Sequence, residues 1–107
     1  MLDKKNFYIN GQWVKPNSSD EIRVIDPATE DNCAVITLGN KADVDMAVNA
    51  AKNAYESWAF SSKDERIKLL EKLYENYKKR WPDIAEAITL EMGAPKDFAS
   101  KLQTGTG

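Results

Sequence analysis

Few side chains in this sequence could carry out catalysis by themselves. The chain of 107 residues has no histidine and one cysteine, Cys33. Without histidine there is no Ser–His or Cys–His pair for nucleophilic catalysis, and no imidazole ligand for a metal. A single cysteine cannot form an internal disulfide or a structural zinc site. Chemistry within this chain would therefore depend on carboxylates, lysines or tyrosines.

Cys33 is the one candidate nucleophile. It begins the apolar run CAVITL at positions 33–38, just after a turn-forming stretch at 27–30. The sequence places no base, no lysine or arginine and no helix N-terminus beside it, and these features convert a thiol into a reactive thiolate. The pattern therefore predicts a buried or half-buried structural thiol.

Two other motifs could bind phosphate groups. Gly105 and Gly107 have the spacing that opens a Gly-x-Gly-x-x-Gly motif, which requires a strand before it and a helix after it. A helical pattern precedes these glycines, so we interpret them as a chain end. The basic run at 78–80 lies among glutamates in a chain of net charge −2, which indicates a solvated helix face. We predict no nucleic-acid partner and no cofactor-binding residue here.

Short strands are predicted over about residues 7–38. Asn10-Gly11 between FYI and QWV is a strong hairpin signal, because both turn residues tolerate positive φ. This turn sets Tyr8 opposite Trp13. Two more strands are expected at 21–26 and 33–38, and residues 1–6 are expected to be frayed. The pattern predicts a small antiparallel sheet.

Helices are predicted over about residues 41–103. Asn40 with Asp43, and Ser62 with Glu65, have the spacing of capping boxes that begin two helices. The first is expected to end near residue 60. Pro82 is expected to end the second helix and begin a third, which stops at a glycine. The first helix has an apolar stripe at helical spacing, formed by Val44, Ala47, Val48, Ala51, Tyr55 and Trp58.

Aromatic residues recur along the two predicted helices. Such a series could stack nucleic-acid bases or line a ligand site. Because the chain lacks net positive charge, the pattern favours a core between helices. The residues concerned are Tyr55, Trp58, Tyr74, Tyr77 and Trp81.

No apolar run approaches the roughly 20 residues that a membrane-spanning helix needs. The first residues, MLDKKNFYING, contain no apolar segment of signal-peptide length. These features predict a cytoplasmic protein with no membrane partner.

Taken in order, five motifs resemble the N-terminal segment of the NAD(P)-dependent aldehyde dehydrogenase superfamily. The likeness covers residues 7–96 and departs from the family pattern at DPATE, which lacks the usual Asn and Gly, and at Gly-Ala-Pro, where Gly-Lys-Pro is commoner. The motifs are the hairpin FYINGQW, the turn DPATE, the helix DVDMAVNAA ending in a tryptophan, the helix DERIKLLEKL, and the close TLEMGAP.

The resemblance implies an α/β fold, of which residues 1–107 are a partial domain. The fragment would be a hairpin and strand layer followed by two or three antiparallel helices, forming the N-terminal part of the NAD(P)-binding domain, with the catalytic domain absent. The family oxidises a small-molecule aldehyde to a carboxylate with NAD or NADP, through a cysteine thioester that a glutamate-activated water hydrolyses. Homo-oligomers, dimers or tetramers, are also implied.

None of the family's catalytic or cofactor-contacting motifs occurs in this sequence. We therefore assign no catalytic residue, and we expect the 107-residue chain to be inactive, without bound cofactor, and to leave apolar helix surface exposed. The alternative is a stand-alone α+β interaction module with no enzymatic role.

The resemblance also implies a possible site for a monovalent cation. Some aldehyde dehydrogenases bind one with an acidic side chain near the TxExGxP close and with backbone carbonyls from the strand before the proline turn. The matching residues here are Glu91, Val24 and Ile25. The usual ligand is Asp, and the alternative is a helix-end carboxylate or a salt bridge.

Overall fold

The computed structural model describes residues 1–106, which form two compact units. The first unit contains residues 1–24 and 32–61, and the second contains residues 25–31 and the described residues from 62 onward. Gly107, the second glycine of the Gly-x-Gly spacing that we interpreted as a chain end, lies outside the described residues.

Five short strands form two sheets. They are β1 (Leu2–Lys4), β2 (Phe7–Ile9), β3 (Gln12–Val14), β4 (Glu21–Ile25) and β5 (Asn32–Thr37). The first sheet has the order β1-β5-β4, and the second is the hairpin β2-β3.

The predicted fraying of residues 1–6 is wrong, and so is the purely antiparallel sheet. β1 pairs with β5 in parallel, with Leu2 opposite Ala34 and Lys4 opposite Ile36. The side chains of β1 are all exposed, so its polar sequence carries no strand signal. Backbone pairing at the sheet edge orders it, and lysines at edge strands are common.

The hairpin is confirmed in both turn and register. Asn10 and Gly11 have φ values of 53° and 76°, as a type I′ turn requires. Tyr8 pairs with Trp13, and their rings meet edge to face with centroids 5.2 Å apart. A local sequence signal therefore fixed this element.

Helix α1 (Lys41–Trp58) begins with the predicted capping box. The Asn40 side chain accepts the Asp43 amide, and the Asp43 carboxylate accepts the Asn40 amide. The helix ends two residues earlier than expected. Asp43 is its only buried residue, at 3% exposure.

Helix α2 (Lys63–Met92) also begins with its predicted capping box, between Ser62 and Glu65. The prediction that Pro82 ends this helix and begins another is wrong, because α2 runs through it for 30 residues. The missing N–H deprives one carbonyl of its helical donor, and the rest of the helix keeps its hydrogen-bond ladder. Gly93, with φ 68°, closes α2 as predicted.

A short helical segment follows α2 and packs against it within the second unit. It comprises α3 (Lys96–Phe98), a π-helical turn (Ala99–Gln103) and a 3₁₀ turn (Thr104–Thr106). Ala99 and Thr104 are buried here. Helical structure thus reaches the end of the predicted helical range, about residues 41–103, and the turn at Ala99–Gln103 is wound more widely than a regular α-helix.

The apolar stripes of both long helices are largely uncovered, which confirms the expected exposure of apolar helix surface. Tyr55 is 67% exposed and Tyr74 is 60% exposed, so the predicted helix core is wrong at these positions. Tyr77 and Trp81 are half-buried against the segment after α2. Apolar residues at helical spacing form a stripe on the helix whether or not the same chain contains a surface that packs against that stripe.

Candidate functional site

The three residues of the predicted cation site lie at the ends of two elements, β4 and α2. Val24 is half-buried in β4, Ile25 is the exposed last residue of that strand, and Glu91 is exposed in the last turn of α2. Val24 belongs to the first unit, and the other two belong to the second. The cation site stays a prediction.

Within the second unit, the proline turn approaches the end of α2 closely. A Cβ atom at Gly93 would lie 2.9 Å from Cγ of Pro27. Pro27 is two residues after Ile25, and Gly93 is two residues after Glu91. The turn itself is held by Asp26, whose carboxylate accepts the Ala28 amide at 2.8 Å.

Cys33 is half-buried in β5, as predicted. Its Sγ donates to the carbonyl oxygen of Val24 at 3.4 Å. This contact joins two strands of one sheet, which is a structural role for the thiol.

Asp43 has a second role that the sequence did not reveal. Besides capping α1, its carboxylate accepts the amides of Asn17 at 2.7 Å and Ser18 at 3.2 Å, more than twenty residues earlier in the chain. These hydrogen bonds, led by that from Asn17, hold the pKa of Asp43 below its usual value because they favour the charged form. The carboxylate thereby fixes the loop before β4 to the start of α1.

A cavity of about 300 Å³ lies in the second unit, beside the segment after α2. The Oγ1 atom of Thr89, at its wall, is buried and has no hydrogen-bond partner in the part of the chain that the structure describes. Its other lining residues include Pro82, Ala85, Glu86, Lys96 and Ser100. Three of these, Glu86, Lys96 and Ser100, carry ionisable or hydroxyl side chains.

Residues 1–106 lack two kinds of feature. No three Cys, Asp or Glu side chains converge there as a metal site would need. No helix among these residues has the length and apolarity to cross a bilayer.

Comparisons with known proteins agree with each other. The chain matches the aldehyde dehydrogenase family over residues 13–106. It is similar to a 3-succinoylsemialdehyde-pyridine dehydrogenase of Pseudomonas, with 47% identity over 108 residues, covering 100% of this chain and 23% of that protein.

Two solved structures give the same result. An aldehyde dehydrogenase of Bartonella henselae has a TM-score of 0.97 and 50% identity, over 99% of this chain and 22% of that one. Aldehyde dehydrogenase C of Pseudomonas syringae, a mutant in complex with NAD+ and octanal, has a TM-score of 0.92 and 39% identity, over 94% of this chain and 21% of that one. The chain thus spans about a fifth of the length of the relatives it matches, and it belongs to the aldehyde dehydrogenase family as an N-terminal segment of it.

Proposed function

We propose that this chain forms the N-terminal part of the NAD(P)-binding domain in an NAD(P)-dependent aldehyde dehydrogenase. The observation that carries this proposal is the match over residues 13–106, together with the TM-score of 0.97 to the Bartonella enzyme. Nothing in the comparisons favours the alternative, a stand-alone interaction module. The catalytic cysteine, the general base and most cofactor contacts would come from the rest of such a polypeptide.

The whole enzyme would oxidise a small-molecule aldehyde to a carboxylate. The Pseudomonas syringae relative, solved with NAD+ and octanal, supports an aldehyde substrate and a nicotinamide cofactor. A second relative solved with nicotinamide adenine dinucleotide supports NAD, with NADP as the alternative. A dimer or tetramer in the cytoplasm is proposed on family resemblance.

The 107-residue chain by itself is proposed to be inactive and to bind no cofactor. It has no histidine, its single cysteine is half-buried, and no three Cys, Asp or Glu side chains among the described residues converge as a metal site would need. Purified chain mixed with octanal and NAD+ should produce no reduced nicotinamide, whereas the complete Pseudomonas syringae enzyme without the mutation should. Turnover by the purified chain would refute this.

A segment-swap enzyme tests the proposed function directly. In it, this chain replaces the matching segment of the Pseudomonas relative that is 47% identical. We expect the hybrid to fold and to oxidise that enzyme's aldehyde with NAD+, because half of the residues are shared and the fold is the same. A hybrid carrying the matching Bartonella segment is the control. A folded hybrid that binds NAD+ yet lacks activity, beside an active control, would contradict the proposal.

We also propose that Glu91 and the carbonyls of Val24 and Ile25 bind a monovalent cation in the whole enzyme. The close approach of Pro27 to Gly93 within the second unit supports this, because these residues come two positions after Ile25 and Glu91. Potassium or sodium should raise the Tm of the segment-swap enzyme more than choline does. Glu91→Gln should remove that difference, and an unchanged difference would refute the site.

A further inference from the structure

The winding of the chain changes in the short segment that follows α2. At its start, the amide of Ala99 donates to the carbonyl oxygen of Pro95, four residues earlier, at 2.9 Å, as in an α-helix. At its end, the amide of Thr104 donates to the carbonyl oxygen of Ala99, five residues earlier, which is the hydrogen bond of a π-helix. The Thr104 amide thus passes over Ser100, the acceptor that an α-helix would give it.

The carbonyl oxygen of Ser100 has a donor from α2 instead. Nε1 of Trp81 donates to it at 2.9 Å. An indole has a single N–H, and an indole that is half-buried, as this one is, usually finds an acceptor for it. The indole of Trp81 therefore uses the acceptor that regular α-helical winding would assign to the amide of Thr104.

The Trp81 ring also lies against the end of this turn. A Cβ atom at Gly105 would be 3.5 Å from Cη2 of the ring, which is an ordinary van der Waals contact. A carbonyl oxygen can accept two hydrogen bonds, so the indole N–H and the volume of the ring are separate ways in which Trp81 could keep the Thr104 amide from Ser100. An experiment has to separate the two.

Thr104 is held on every side in the observed winding. Its hydroxyl joins its amide on the carbonyl oxygen of Ala99, at 2.8 Å, and its own carbonyl oxygen accepts the hydroxyl of Tyr77 at 2.7 Å. Ala99 is 0% exposed and Thr104 is 1% exposed, so water does not reach these groups. Buried backbone amides in native proteins are almost always paired, and a second winding must therefore offer the Thr104 amide another acceptor. At α-helical spacing that acceptor is Ser100.

We propose that the indole N–H of Trp81 selects the π-helical winding of Ala99–Gln103 by occupying the carbonyl oxygen of Ser100. Trp81 is thus a positioning residue, and the turn has a second winding, a regular α-helix in which the Thr104 amide donates to Ser100. An α-helix turns by about 100° per residue, so loss of the inserted residue would rotate the residues after the turn by about 100°. Thr104 would then leave its buried position.

The test identifies the acceptor of the Thr104 amide by NMR. Scalar coupling across the hydrogen bond connects the amide nitrogen of Thr104 with the carbonyl carbon of its acceptor. In the unchanged chain we expect this coupling to Ala99. In Trp81→Phe, which has no ring N–H, we expect it to move to Ser100.

Two further proteins separate the N–H from the other contacts of α2. The first has 3-benzothienylalanine at position 81, introduced by stop-codon suppression, which keeps the two-ring shape and has sulfur in place of the N–H. Its Thr104 amide should also couple to Ser100. The second is Tyr77→Phe, the matched control, which loses a hydrogen bond to the same segment but frees no acceptor for this amide. Its coupling should stay with Ala99. Circular dichroism shows whether each protein keeps its helices.

Coupling to Ala99 in the benzothienyl protein would overturn the inference, because the volume of the ring or the packing of the segment would then select the winding. Coupling to Ser100 in the unchanged chain would overturn it as well. Loss of both couplings in the benzothienyl protein would contradict the proposed α-helical alternative. If Trp81→Phe does not fold, the benzothienyl protein decides, because its side chain has nearly the shape of the original.

Discussion

Gly93 at the end of α2 gives the sharpest test of the fold. Its φ of 68° lies in the left-handed region, which disfavours any side chain with a Cβ. In addition, a Cβ there would lie 2.9 Å from Cγ of Pro27, well inside ordinary van der Waals contact. Gly93→Ala therefore combines a backbone penalty with a steric one.

The two penalties have different sizes and can be separated. The left-handed conformation costs an alanine about 1–2 kcal/mol relative to glycine. Overpacking against the proline ring adds about 1–3 kcal/mol. Gly93→Ala should thus lower the free energy of unfolding by about 2–5 kcal/mol.

Gly11 supplies the matched control, because its φ is 76° and a Cβ there would meet no atom within 4 Å. Gly11→Ala should cost only the backbone part, about 1–2 kcal/mol. Pro27→Ala, combined with Gly93→Ala, should recover the steric part as a coupling of about 1–3 kcal/mol in a double-mutant cycle.

Urea unfolding followed by circular dichroism measures the unchanged chain and the four variants, which are Gly93→Ala, Gly11→Ala, Pro27→Ala and the Pro27/Gly93 double variant. Because α2 contributes 30 helical residues, its loss dominates the signal. Equal costs at Gly93 and Gly11, together with no coupling to Pro27, would refute the close approach of the proline turn to the end of α2.

Three further predictions concern single side chains. Asp43→Asn should destabilise the chain at neutral pH. Because the pKa of Asp43 is depressed in the folded chain, the stabilisation by its carboxylate is present above the unfolded pKa of about 3.8 and fades as the pH falls below it. An equal loss of Tm in the variant at pH 3 and at pH 7 would contradict this. Cys33 should react with a disulfide reagent more slowly in the folded chain than in urea, and Cys33→Ser should leave the helical content unchanged; equal reaction rates would show that the thiol is not held in the sheet. Tyr77→Phe should cost about 1 kcal/mol in urea unfolding and accelerate amide exchange near Thr104, because it removes one hydrogen bond to that carbonyl; unchanged exchange would refute the contact.

Local signals in the sequence predicted the elements whose chemistry lies within a few residues. The Asn10-Gly11 hairpin formed with its register because two adjacent residues accept positive φ. Both capping boxes formed because donor and acceptor are three residues apart. Gly93 ended α2 because a glycine accepts the positive φ that closes a helix.

The sequence predictions failed where the local structure depends on residues that are far apart in the chain. β1 is ordered by parallel pairing with a strand thirty positions later, and its own polar residues give no sign of this. Pro82 was expected to break a helix, but the turns on either side keep enough hydrogen bonds to continue it. The loop contacts of Asp43 likewise join residues that no short motif relates.

The sequence by itself determined the family, the hairpin and the two capping boxes, because these depend on residue types and their spacing. Tertiary structure alone decided which apolar faces are covered. Tyr77 and Trp81 are half-buried because the segment after α2 offers them carbonyl acceptors, whereas Leu70 on the same stripe has no covering segment among the described residues. Helical periodicity in the sequence shows that a helix has an apolar face, but only the tertiary structure shows which residues pack against that face.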